Sequence, residues 1–237
     1  SVSEAGISVF VECKNLDFRL KRTKQLKLIA RTGLSNSARR RYWFILSGGY
    51  ELYTRVGNVY EKALENAKEE PINEKDSFGV SFKYLDFLPP QISPILPTFL
   101  NALWFHNQNI EYSPMIPAIA TMLLMYMEPP LAYLSIQAII NKSRESLFYV
   151  LLNKKQLFAA IDSVEKLIVS RLPNVANHAT KLGINLSQLI LSIFPSFFIP
   201  FVSYPVSLTF FDSFVSEGRK VIFRFLLQIL SDEKNNL

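Results

Sequence analysis

One cysteine, Cys13, is the whole thiol content of the 237-residue chain. That excludes a disulfide framework and a cysteine-built metal site, and it suits a reducing compartment. Glycine is scarce too, at eight residues, and none falls in a phosphate-cradling loop. The two histidines, His106 and His178, have no acidic or cysteine partner at ligand spacing. Each reads as a structural or surface histidine, so neither a metal, a cofactor nor a Ser–His–Asp arrangement is implied. Charge is missing from one long run: no Lys, Arg, Asp or Glu stands between Lys181 and Asp212. Its length, about 30 residues, meets that of a membrane-spanning helix. However, Pro195, Pro200 and Pro205 recur every five residues, too often for one continuous helix, and Asn185, Ser187 and Gln188 lower its hydrophobicity. The apolar run 115–127 is too short to span. Both runs therefore predict short core helices broken by prolines. Residues 1–15 lack the apolar stretch of a signal peptide, and the sequons at Asn141 and Asn185 read as chance matches.

What the chain does contain is apolar material. Hydrophobic residues make up 49% and charged residues 19%, which excludes disorder and requires a substantial core. Strand-like alternation is hard to find, so the fold class is all-α. Charge is concentrated at one end. Residues 1–41 hold ten Lys/Arg against three acids, a net of +7, whereas the other 196 residues carry a net of −1. A focused excess of this kind points to an anionic partner: nucleic acid, anionic lipid or an acidic protein. Nucleic acid is disfavoured, because the basic segment lacks the aromatic stacking surface of single-strand binders.

Along the chain, residues 16–32 read as a basic amphipathic helix ended by Gly33. A second helix is expected from Ser37 to Leu46, stopped by Gly48-Gly49, and a third over 50–70. Residues 71–95, with Pro71, Pro89, Pro90 and Pro94, read as loop with at most a short turn. Helices follow over 98–107 and then after Pro114 and Pro117, whose spacing marks a helix entrance. Pro129-Pro130 are expected to break the chain before a helix at 131–142. A further helix is expected over 154–171 and shorter pieces over 175–215. Residues 218–231 should form a closing amphipathic helix. Asp86 and Asp212, beside apolar segments, are candidate buried carboxylates that accept hydrogen bonds from helix ends.

Three stretches in order resemble the TBC domain, the all-helical fold that activates Rab-type GTPases. "GLSNSARRRYWFIL" is similar to the family's Gly-Ile-Pro-x-x-Leu-Arg-x-x-x-Trp signature, with Gly33, Arg39 and Trp43 in register. "YSPMIPAIATMLLMYMEPPLAY" is similar to its Tyr-x-Gln-Gly helix. In the closing signature, Asp212 and Glu217-Gly218 hold the family's Asp and Glu-Gly positions. The resemblance implies a two-lobed helical domain over residues 25–231, with subdomains 25–143 and 144–231. A basic segment (1–24) leads into it and a tail (232–237) follows.

A catalytic member of that family works through two fingers. One is an Arg three residues after an Asp; the other is the Gln of Tyr-x-Gln-Gly. Here the first motif falls on Asp86, with Pro89 at the Arg position. The second falls on Tyr112, with Pro114 at the Gln position. Proline can neither orient water nor donate a hydrogen bond, so the resemblance implies a pseudo-enzyme with no catalytic residues. An active GTPase activator using Gln91 or Gln108 is the alternative.

Proline at the Gln position is most similar to the Skywalker-type branch, in which a TBC domain precedes a TLDc domain. That branch implies a cationic pocket for phosphoinositide headgroups, which carries over onto Lys27, Arg31 and Arg224, with Lys24, Lys220 and Arg219 in support. The expected partners are phosphoinositide lipids, a membrane surface and a Rab- or Arf-type small GTPase. The expected location is cytoplasmic, peripheral to vesicle or plasma membranes. On the residues alone, Lys24, Lys27 and Arg31 read equally as a solvated helix face. Arg39 and Arg224 could instead pair with a buried acid such as Asp212.

Overall fold

The structure, a computed structural model, describes residues 24–69, 77–79, 88–146, 149–199 and 201–233. Its helices are α1 (Lys24–Thr32), α2 (Asn36–Ser47), α3 (Gly49–Val56), α4 (Tyr60–Glu69), α5 (Leu96–Phe105), α6 (Met115–Leu124), α7 (Pro129–Ser146), α8 (Lys154–Arg171), α9 (Pro173–Lys181), α10 (Leu186–Ile193), α11 (Tyr204–Glu217) and α12 (Lys220–Glu233). Short 3₁₀ turns lie at Ser77–Gly79 and Phe194–Ser196. Among the described residues there is no strand, and no helix is long and apolar enough to cross a membrane.

Two helices organise the first lobe. Every residue of α6 is buried, and α7 packs against α2, α3, α4, α5 and α6. The second lobe is built on α11, which packs against α1, α2 and α12, while α8 packs against α9 and α10. The first segments of the chain thus close against one of its last helices.

Proline placement accounts for several helix starts. Pro114 is the N-cap of α6, Pro173 and Pro205 fall in the first two positions of α9 and α11, and Pro129 and Pro130 begin α7. In a first turn the missing N–H has no intrahelical partner to lose. The expected break before residue 131 falls at 125–128, and Pro129-Pro130 belong to the helix that follows it, which runs to Ser146. The helix expected over 50–70 is two helices. Gly57, at φ +69°, donates its N–H to Tyr53 O at 2.8 Å and ends α3, a conformation that costs a residue with a Cβ more than it costs glycine. Gly48, at φ +95°, closes α2 as the sequence implied, its N–H meeting Ile45 O.

Phe197 and Phe198 follow the second 3₁₀ turn in left-handed conformations, at φ +53° and +61°. Such backbone is unfavourable for a residue with a side chain. Here it aims both rings inward: Phe197 packs edge-on to Phe214 at 4.8 Å between centroids, and Phe198 to Phe225 at 5.0 Å. Burial of the two rings offsets the backbone strain.

The lobes are tied by Asp212, which has no exposed surface. It accepts from Leu34 N at 2.8 Å, Trp43 Nε1 at 2.7 Å, Arg39 Nε at 3.2 Å and Arg39 Nη2 at 3.1 Å. Arg39 and Trp43 stand four residues apart on α2, which places both on the face toward α11. Trp43 also packs edge-on to Phe211 at 4.6 Å. Removing one partner of such a buried pair strands the other charge. Asp212→Ala should lower unfolding free energy in urea by about 3–5 kcal/mol. The double variant Arg39→Met/Asp212→Leu should lose less than Asp212→Ala.

Candidate functional site

Lys27 and Arg31 lie one turn apart on α1, and α1 lies along α11. Gly218, at φ +79°, then turns the chain from α11 into α12, so that Arg224 comes back beside the end of α11. The result is a cluster centred on Glu217. Arg31 grips its carboxylate with a two-bond fork, Nε to Oε1 at 2.6 Å and Nη2 to Oε2 at 2.7 Å. Arg224 Nη1 reaches Oε2 at 3.1 Å. The Glu217 side chain is 6% exposed, while those of Arg31 and Arg224 are 49% and 60% exposed. The carboxylate is therefore the floor of the cluster and the guanidinium groups are its outer wall.

Hydrogen bonds from Arg31 hold the Glu217 carboxyl below its ordinary pKa. The charges of Arg31, Arg224 and Lys27 act in the same direction, against burial. The same bonds to Glu217 raise the Arg31 guanidinium. Lys220 is exposed at the start of α12. Arg219 is half-buried in the preceding turn, and desolvation lowers its pKa. Lys24 opens α1, but its side chain lies outside the described set. Beside the cluster is a hollow of about 370 Å³ bordered by Arg31, Val206, Phe210, Val221 and Phe225.

Of the two alternatives left by the sequence, Arg39 does pair with Asp212, whereas Arg224 takes Glu217. Sequence reasoning named Glu217 as a motif position but missed it as the common acceptor. Arg31 and Glu217 are 186 residues apart, and no local spacing signals such a pair.

At the second candidate site, Asp86 lies outside the described residues, as do the residues up to Phe87. Pro89 is half-buried. Pro114 is buried and caps α6 at φ −65°, ψ −13°. Its neighbour Ser113 is pinned on both sides, N to Phe78 O at 3.0 Å and Oγ to Leu151 O at 2.6 Å. Tyr112 is half-buried, with Lys154 Nζ 5.6 Å from its ring centroid. Gln91 and Gln108 are both exposed. Among the described residues no group of three His, Cys, Asp or Glu is placed to hold a metal ion.

Comparison with known proteins adds the following. The family model described as Rab-GTPase-TBC domain matches residues 36–237. A relative from Emericella nidulans is 27% identical over 214 residues, 86% of this chain but 18% of that protein. The Drosophila melanogaster TBC1 domain family member whacked is 26% identical over 215 residues, covering 89% of this chain and 59% of its own length. The chain thus spans less than two thirds of the length of either relative. Among solved structures, the TBC domain of Skywalker/TBC1D24 from Drosophila melanogaster, in complex with inositol(1,4,5)triphosphate, superposes with a TM-score of 0.76 at 18% identity. That match covers 94% of this chain and 79% of that one.

The lowered pKa of Glu217 has a sign in stability. Its ionised form is favoured by the fold, so its contribution is complete above the ordinary glutamate value of about 4.3. That contribution is lost as pH falls through the lowered native value. The stability gap between the wild-type chain and Glu217→Gln should be constant near neutrality and close on acidification, as read from urea melts at a series of pH values.

Proposed function

Because the chain belongs to the Rab-GTPase-TBC domain family, we propose that it is a membrane-docking TBC domain that has lost GTPase-activating chemistry. In this reading Lys27, Arg31 and Arg224 bind a phosphoinositide headgroup, supported by Lys24, Lys220 and Arg219. The domain engages a Rab- or Arf-type small GTPase without accelerating its hydrolysis. It acts in vesicle trafficking from the cytoplasmic side, held peripherally at vesicle or plasma membranes.

The observation that carries the headgroup reading is the convergence of Arg31 and Arg224, from opposite ends of the chain, on one carboxylate. Oxygens of Glu217 sit where anionic oxygens of a ligand are attracted by the same forks. A guanidinium has five N–H donors; Glu217 takes two from Arg31 and one from Arg224. The exposed remainder is available to phosphate. The inositol phosphate held by the similar Skywalker/TBC1D24 domain supports this reading.

The loss of chemistry follows from side-chain inventory. An arginine finger supplies about 10³–10⁵ in rate by stabilising charge on the transferring phosphoryl group. Pro89 and Pro114 offer no charge, no N–H and no acceptor side chain at the two matching positions.

Lys27→Ala/Arg31→Ala/Arg224→Ala should reduce sedimentation with liposomes containing a bisphosphorylated phosphoinositide by about 100-fold. That corresponds to about 1 kcal/mol for each basic group lost near an anionic surface. Undiminished binding would refute the pocket. In single-turnover assays across Rab proteins the domain should leave GTP hydrolysis unchanged. Acceleration of about 100-fold or more, set against the arginine-finger range, would refute the pseudo-enzyme reading and direct attention to Gln91 and Gln108.

A further inference from the structure

The hollow beside the cation cluster has a floor made by one stripe of α11. Pro205, Val206, Thr209, Phe210 and Ser213 follow one another along it at helical spacing. Glu217, four residues beyond Ser213, continues the same stripe, so the cation cluster stands at one end of the floor. Val221 and Phe225, one turn apart on α12, line the hollow as well, and Arg31 of α1 borders both the hollow and the cluster. From Glu217 back to Pro205 the helix runs about 18 Å, at 1.5 Å per residue. A cationic end and an apolar trough thus share one helix face.

Both hydroxyls on the floor are already committed. Thr209 Oγ1 donates to Pro205 O at 3.1 Å, and Ser213 Oγ to Ala30 O of α1 at 3.3 Å. What the floor offers a ligand is therefore hydrocarbon. Val206 is 41% exposed, Pro205 is exposed, and Thr209 and Phe225 are half-buried, so a ligand reaches them from solvent. Phe210, 4.8 Å from Phe225 between ring centroids, is buried beneath them. The hollow, about 370 Å³, is smaller than the roughly 420 Å³ taken up by one turn of a helix 10 Å across. A partner helix therefore does not seat within it, whereas a hydrocarbon chain does.

We propose that this trough seats one acyl chain of the phosphoinositide lipid whose headgroup the cations hold, so that the domain recognises the lipid rather than its free headgroup. The inference rests on the headgroup reading above. Charge complementarity sets the direction of the ligand. Its phosphates lie at Lys27, Arg31 and Arg224, and its chain runs from there over Ser213 and Thr209 toward Val206. A soluble inositol phosphate has no apolar part and leaves the trough to water. Each methylene taken out of water favours binding about fourfold, so two of them give about 15-fold over the bare headgroup. At a bilayer the benefit differs in kind: a chain drawn up behind its headgroup meets apolar surface instead of water.

The test is calorimetric titration of the 237-residue chain with inositol trisphosphate and with dibutanoyl, dihexanoyl and dioctanoyl phosphatidylinositol bisphosphate, each lipid below its micelle concentration. Affinity should rise at least about tenfold from the dibutanoyl to the dioctanoyl lipid. Val206→Gln/Thr209→Gln should flatten that rise to under about threefold and leave inositol trisphosphate binding unchanged. Glutamine at position 206 completes a Ser-x-x-Gln capping box with the N-cap Ser203, which suits the start of α11. Val206→Gln alone takes its place if the double variant does not melt cooperatively by circular dichroism. Equal affinity across the three lipids, or a rise that the glutamine variant keeps, would overturn the trough and leave the headgroup site standing. If none of the four ligands binds, the headgroup reading fails and the trough with it.

Discussion

A carboxylate with no exposed surface, Asp212, is the point on which the architecture turns. It collects a backbone amide from the turn before α2 and two side chains from α2 itself, Arg39 and Trp43. A buried charge tolerates little movement in its partners, because each lost hydrogen bond leaves an ion in a low-dielectric interior. The corner between α1 and α2 is therefore fixed on α11. Everything else about the charged face follows from where that corner puts α1.

The same helix carries a second acid with the opposite character. Glu217 is covered, but its partners Arg31 and Arg224 are about half in water. Ion pairs of that kind are individually weak and are screened by salt, so they contribute little to folding compared with the Asp212 network. The exposed part of each guanidinium lies outside its bond to Glu217, so the reading proposed above requires no bond to Glu217 to break. A fixed carboxylate beneath exposed cations is the kind of support that the proposed recognition site needs. Helix α11 thus serves two purposes along its length: Asp212 fixes the corner between α1 and α2, and Glu217 gathers the cations.

Much of the helical layout was legible in the sequence. The helix at 154–171 has the bounds expected from its pattern, and the prolines at 195 and 205 interrupt the uncharged run as anticipated. The errors came where one residue type has two uses. A break was expected and lies at 125–128, but Pro129-Pro130 were placed in it although proline also begins helices, and Gly57 was passed over within an otherwise helical pattern. Burial of Asp212 and its pairing with Arg39 were expected, but Leu34 and Trp43 as further donors were not, because they are more than 160 residues away.

Burial of Pro114 gives the proposed loss of chemistry an evolutionary direction. The backbone there is ordinary helix-entry geometry, which any residue can adopt, so Pro114→Gln would meet no conformational obstacle. Its amide would nonetheless arrive in a space closed to water, bringing donors and acceptors that require partners. Each unmet one costs about 1–3 kcal/mol, and a marginally stable domain has little to spare. Pro114→Gln would therefore lose folded protein unless neighbouring residues changed first. If the chain has lost a glutamine here, as proposed above, its return is opposed by stability itself, which acts as a ratchet independent of any selection on hydrolysis.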